Sequence, residues 1–586
     1  MILVTLAALS LLAEPAPVAD AAMKGDLVTL RVLIGRGTDV NTAQGDGMTA
    51  LHWAAERGDS AMTMVLLKAK ANVRAMTRIG DYTPLHLAAK TGNAAVVAAL
   101  LDAGSDAKSL TRTGATALHF AAASGNAASV SALIARGADV NAREPEWGQT
   151  PLVFAAAKDR ADAIRVLLKA GADPNLHTSV MNLTEAAAVE QAATRKRNAV
   201  LVAFEPERHR DTASVQTQSA GAAAPARRNP PQPKGPFTPE QIQAAIDSGR
   251  AVYATAAAAK GPVTEEVDTI NGGVPGFAAS VGGVGGFTAL HHAVRQGNHA
   301  AVLALLDGGA SIDARSHTDS TTPLLLAAIN GHFDVAMTLV KRGADPNVAS
   351  TAGATPLYAV VNTQWRPRSR YPQPHAAEFQ KTTHLALLEA LLVAGGDPNA
   401  RITQHLWYFA YNNCGSGNCG LENLEGTTAF WRAAYALDLD AMRLLVKHGA
   451  DHSLPSQRTP RGGQGGEGRE GGGGGGGGGR GGRGPALVAA TPEIDSAAKA
   501  VPAGVGTFPI HAAAGVGYGN GFAGNSHRHV PDGWMPAIKY LVEELGADVN
   551  QRDANGMTPL HHAASRGDNE MILYLVSKGA DATAVS

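Results

Sequence analysis

The chain has 586 residues and a formal net charge of −1, with 50 Lys and Arg against 51 Asp and Glu. That balance excludes a global electrostatic pull toward nucleic acid or an anionic membrane surface. Two cysteines exclude a disulfide framework that holds the fold, and the length is too great for one compact core, leaving several domains or an array of stacked units.

In chain order, the first feature is the apolar run from Met1 to Ala13. It is too short to span a bilayer. It reads as the apolar part of a secretory leader, with small residues near Ala13, and places a leader and short lead over residues 1–17. No Lys or Arg precedes it, so an apolar helix capping the first folded unit is the other reading. A leader implies a periplasmic or secreted protein, and its absence a cytoplasmic one. No later stretch is apolar and long enough to cross a membrane.

The repeating unit is clearest at Gly80–Asp106. Thr83 can cap a helix, and Pro84 suits its first turn, where the missing N–H costs nothing. Leu85, Ala88 and Ala89 share one face, and Gly92 supplies the left-handed stop. Asn93 caps a second helix with Val96, Val97, Leu100 and Leu101 on its apolar face, and Gly104 ends it. Such a helix pair cannot bury its own apolar face and needs stacked copies. Copies open at Thr49, Thr83, Thr116 and Thr150, at spacings of 34, 33 and 34 residues, and again at Thr288, Thr322 and Thr355. Weaker copies start at Thr428, Phe508 and Thr558, and a half-hidden first copy lies at Val18–Asn41. Each copy closes in an element such as Gly137-Ala138-Asp139-Val140-Asn141.

The period and the Thr-Pro-Leu-His-x-Ala motif resemble the ankyrin repeat family. The resemblance covers somewhat over half of the chain and implies an all-α solenoid of helix–turn–helix units with short β-hairpin tips, interrupted by disordered insertions. It also implies a habit of binding other macromolecules. By the same resemblance, exposed hairpin and inner-helix positions touch partners: Asp46, Met48, Glu56 and Arg57 in repeat two, and Ile79, Tyr82, Lys90 and Thr91 in repeat three. The motif histidines His52, His86, His119, His291, His511 and His561 are implied to tie each turn to its neighbour by hydrogen bonds.

The organisation that follows is repeats one to five at 18–175, an insertion carrying some helix at 176–285, and repeats six to nine at 286–453. Insertions at 364–381 and 400–425 interrupt the latter block. A glycine-rich linker at 454–503 has too little apolar surface to fold, and repeats ten and eleven occupy 504–586. The first insertion spans close to four repeat periods, so decayed repeats are an alternative there. The missing Leu-His core argues for an insertion.

Other features invite chemistry. His511, His527, His529 and Asp532 are the better metal candidates, yet they lack a ligand spacing, and a solvated loop is the default. Arginines scattered through Arg458–Arg483 lack aromatic stacking partners, which favours a spacer over an RNA contact. No glycine run ends as a phosphate loop does, and no nucleophile–base pairing has motif support, so neither catalysis nor a cofactor is expected. Cys414 and Cys419 form a Cys-x4-Cys loop that can close as a disulfide in an exported protein.

Of 28 aromatic residues, eleven fall between Tyr358 and Tyr435, where about four would fall by chance. They fill gaps opened by the insertions, or they form a partner-binding patch at Trp365, Tyr371, Trp407, Tyr408 and Tyr411. The functional expectation is a monomeric, non-catalytic scaffold for an unidentified protein, without nucleic acid. The alternative is a small-ligand binder or metal-dependent enzyme whose site the insertions build.

Overall fold

The computed structural model describes residues 16–204, 233, 235–258, 283–366, 376–404, 424–457, 505–517 and 528–586. Residues 1–15 of the expected leader, most of the glycine-rich linker, Tyr371, Trp407, Tyr408, Tyr411, His527 and the Cys414–Cys419 pair lie outside them.

A helix follows every expected opening motif. In repeat three, Thr83 adopts an extended conformation and its Oγ1 accepts the His86 N–H, while Pro84 begins the helix Pro84–Thr91. Gly92 sits at φ 73°, in the left-handed region where a Cβ would be strained. Asn93 caps Ala94–Asp102 by accepting the Val96 N–H at 3.1 Å, and that helix buries Val96, Val97, Leu100 and Leu101. The same pair recurs from Pro17–Lys24 and Leu27–Gly35 in repeat one to Pro559–Arg566 and Asn569–Ser577 in repeat eleven. First helices of successive repeats pack on one another more extensively than second helices do. This curves the stack with the first helices on the inner side.

Two side-chain ladders join the repeats. On the turn side, the closing Asn accepts an N–H from the closing element of the next repeat, two positions before that repeat's own closing residue, as Asn41 does from Asn72 and Asn141 does from Asp173. At the opposite edge, a residue between the two helices reaches back to a carbonyl of the preceding repeat. Asn93 donates to Gly58, Arg160 to Ala123 and Arg366 to Ile329.

Both ladders pass across the first insertion. Asn298 Nδ2 donates to the Ala156 carbonyl at 2.8 Å, and the Ser311 N–H donates to Asn175 Oδ1 at 2.8 Å, so repeat six sits directly on repeat five. The described insertion residues form their own unit. Val180–Asn182 pairs antiparallel with Gly283–Gly285, and the helices Leu183–Ala203 and Pro239–Ala258 pack against each other. They are a side finger rather than decayed repeats in the stack. Repeat ten likewise sits on repeat nine, through the Ser456 N–H to the Thr507 carbonyl at 2.8 Å and the Gly506 N–H to the Ser456 carbonyl at 2.8 Å.

The second helix of repeat ten is irregular for a countable reason. Ile538 to Gly546 is eight residues, whereas the equivalent Ile164 to Gly171 in repeat five is seven. The extra residue is taken up as a π turn at Tyr540–Glu544. Among the described residues, no helix is long and apolar enough to cross a membrane.

Candidate interaction surface

The motif histidines come first, because they fix the turns against the inner helices. Each is buried. His52 Nδ1 accepts the Thr49 N–H at 3.1 Å, which leaves the ring proton on Nε2 to donate to the Tyr82 carbonyl of the next repeat at 3.0 Å. His86, His119, His291 and His511 do the same toward Ser109, Gln149, Thr321 and Gln551. The arrangement needs neutral imidazole. Burial lowers the pKa of all five, to about 4 for His86 and His291. Both ring nitrogens of His511 are engaged, since Nδ1 also accepts the Phe508 N–H at 3.1 Å, so it has no nitrogen to offer a metal. His529 binds its neighbour's carbonyl through Nδ1 and rests edge-on against Trp534.

With the turns fixed, a line of rings appears where they meet the inner helices. The residue after the motif position is Trp53, Leu87, Phe120, Phe154 and His292 in repeats two to six. Leu87 is buried and the four rings are half-buried. Phe120 packs on Tyr82 at 5.7 Å and edge-on to His86 at 5.9 Å, Phe154 meets His119 at 5.1 Å, and Phe287 stacks on His291 at 5.3 Å. Trp53 Nε1 donates to Gln44 Oε1 at 2.8 Å. At the turn tips Met76, Ile79 and Leu110 are 53%, 76% and 55% exposed.

Of the positions expected to meet a partner, Asp46, Arg57, Ile79, Lys90 and Thr91 are exposed, and Glu56 and Tyr82 are half-exposed. Met48 differs from expectation: it is buried at 8% exposure, because the Asp46 carboxylate accepts its N–H and turns the side chain inward. The line Trp53–Phe120–Phe154 was not singled out in the sequence. Its signal was present, since the three share one place after the motif histidine or its substitute.

Of the described rings in repeats eight and nine, four lie inside and Phe379 is exposed. Tyr358, Phe430, Trp431 and Tyr435 are buried. Tyr358 and Trp431 hold the motif-histidine position and bridge as histidine does. Tyr358 Oη pairs with Thr427 Oγ1 at 3.0 Å, and Trp431 Nε1 donates to the Thr507 carbonyl at 3.0 Å. Trp365 is half-buried at the far edge, where its Nε1 donates to Asp438 Oδ2 at 2.7 Å. His384 Nε2 meets the same oxygen at 2.9 Å, and Arg432 donates to Asn362 Oδ1 and the Trp365 carbonyl, each at 2.8 Å. Burial alone would raise the Asp438 pKa; hydrogen bonds from His384 and Trp365 outweigh it and hold the carboxyl below the usual range.

Comparison with known proteins matches two ankyrin-repeat families to the chain. "Ankyrin repeats (3 copies)" matches residues 18–110, 96–178 and 257–350, and "Ankyrin repeats (many copies)" matches 526–576. Together they cover just over half of its length. The chain belongs to the ankyrin repeat family. Among curated relatives, protein phosphatase 1 regulatory subunit 27 of Mus musculus is 45% identical over 60 residues, 10% of this ankyrin chain and 38% of that protein; the Homo sapiens counterpart matches equally. The B-cell lymphoma 3 protein homolog of Mus musculus is 38% identical over 74 residues, 13% of this chain and 16% of that one. The ankyrin chain thus spans well under half the length of these relatives.

Proposed function

We propose that this ankyrin repeat protein is a non-catalytic scaffold that holds a protein partner on the inner face of repeats two to six. The observation that carries the reading is the line of half-buried rings Trp53, Phe120, Phe154 and His292, broken only by buried Leu87, beside the exposed apolar turn tips Met76, Ile79 and Leu110. Exposed apolar surface in a row is costly in water and marks interaction surfaces. The stack beneath it is rigidly tied by the histidine and asparagine ladders, so little order is lost on binding. A relative named as a regulatory subunit supports a binding role.

The test is the affinity of a partner, recovered from the host with the full-length chain, for a variant combining Glu56→Lys, Arg57→Glu and Lys90→Glu. A loss of at least about tenfold is expected, since reversing interface charges opposes a complementary surface. Unchanged affinity would exclude this face.

A further inference from the structure

The acids and bases of the inner face of repeats three to six are disposed unequally. The acids are engaged within the fold. Asp81 holds Arg112 at 3.2 Å, buried Glu144 accepts the N–H groups of Glu146, Trp147 and Gln149, and Asp159 accepts the Ala301 N–H at 2.8 Å. Asp319 accepts the Thr321 N–H and three hydroxyls, from Ser316, Thr318 and Thr321. Glu146 alone of this set is an exposed acid without such a role here. The bases face outward: Lys90, Lys158 and Arg295 are exposed at the ends of the inner helices or in the turns after them, while Arg160 is tied to the Ala123 carbonyl. Lys158 lies one helical turn beyond Phe154, so base and ring share a helix face. A basic row thus runs beside the ring line on a chain whose overall charge is −1.

We propose, resting on the binding role assigned above, that the partner element is an extended acidic polypeptide segment. Its carboxylates meet Lys90, Lys158 and Arg295, and its interleaved apolar side chains lie on Ile79, Leu110, Phe120 and Phe154. Charge complementarity selects the acidic chemistry. The rings select polypeptide over nucleic acid. Base stacking needs an open aromatic face, whereas Phe120 is packed against both Tyr82 and His86, and Phe154 against His119.

The experiment is panning of random phage-displayed peptides against the full-length chain, followed by fluorescence anisotropy with a labelled synthetic copy of the strongest binder. The expected pool is rich in Asp and Glu interleaved with Leu, Phe or Trp. The triple variant Lys90→Glu, Lys158→Glu, Arg295→Glu is expected to weaken its binding at least about tenfold, with unchanged melting temperature and a flatter salt dependence. A pool without acidic enrichment that still loses binding in Phe120→Ala and Phe154→Ala overturns the acidic chemistry and leaves the inner-face role standing. Peptides indifferent to both variant sets, or an empty selection, overturn both. Oligouridylate or oligothymidylate that binds and is released by the same charge reversals overturns the polypeptide assignment.

Discussion

Tyr358 and Trp431 stand where other repeats carry histidine, and both reach the next repeat as histidine does. A longer side chain keeps the bond across turns that carry insertions. Trp431→Ala removes a fully buried ring and its bond to Thr507, and is expected to cost about 3–5 kcal/mol, whereas Trp431→Phe is expected to cost only about 1–2 kcal/mol. Urea unfolding of both variants measures the difference. The histidines make a second residue-scale prediction. Their folded pKa values lie below that of the unfolded chain, so protons bind the unfolded state preferentially between pH 6.5 and about 4. Their contribution is complete above pH 6.5 and is lost as pH falls through that window, by roughly 1–2 kcal/mol per histidine at pH 5. The melting temperature is therefore expected to drop from pH 7 to pH 5, and His119→Leu to flatten the slope. Asp438, whose pKa is lowered, adds to the loss only below about pH 4.

At the scale of the element, the helix pairs were legible because Thr, Pro, Gly and Asn act locally, each through its own cap or turn. The π turn of repeat ten was legible in principle, since it is one surplus residue between Ile538 and Gly546. Continuity of repeats five and six was not legible. It rests on Asn298 finding Ala156 and Ser311 finding Asn175, contacts between residues more than a hundred positions apart. The aromatic excess near repeat eight was visible, but composition does not say which side of a helix a ring takes. Deleting residues 183–282 and joining Asn182 to Gly283 by an Asn-Gly turn tests the element reading. Those two residues already face each other in the strand pair, so the melting temperature is expected to move by only a few degrees. Circular dichroism is expected to lose only the finger's helices. Collapse of the transition would show that the finger supports the stack.

At the scale of the molecule, the ladders make the described repeats one continuous stack from Pro17 to Ser577, and the binding surface proposed for it is the inner face of repeats two to six. Repeat four supplies the most direct measurement. A photoreactive benzoylphenylalanine is placed at Phe120 on the inner face, or at Ser131, exposed on the second helix of the same repeat. Irradiation in the native host is followed by mass spectrometry. The account predicts a discrete protein adduct from position 120 that is absent from position 131, and that is lost on adding Lys90→Glu, Lys158→Glu and Arg295→Glu. An adduct from 131 with none from 120 would contradict it.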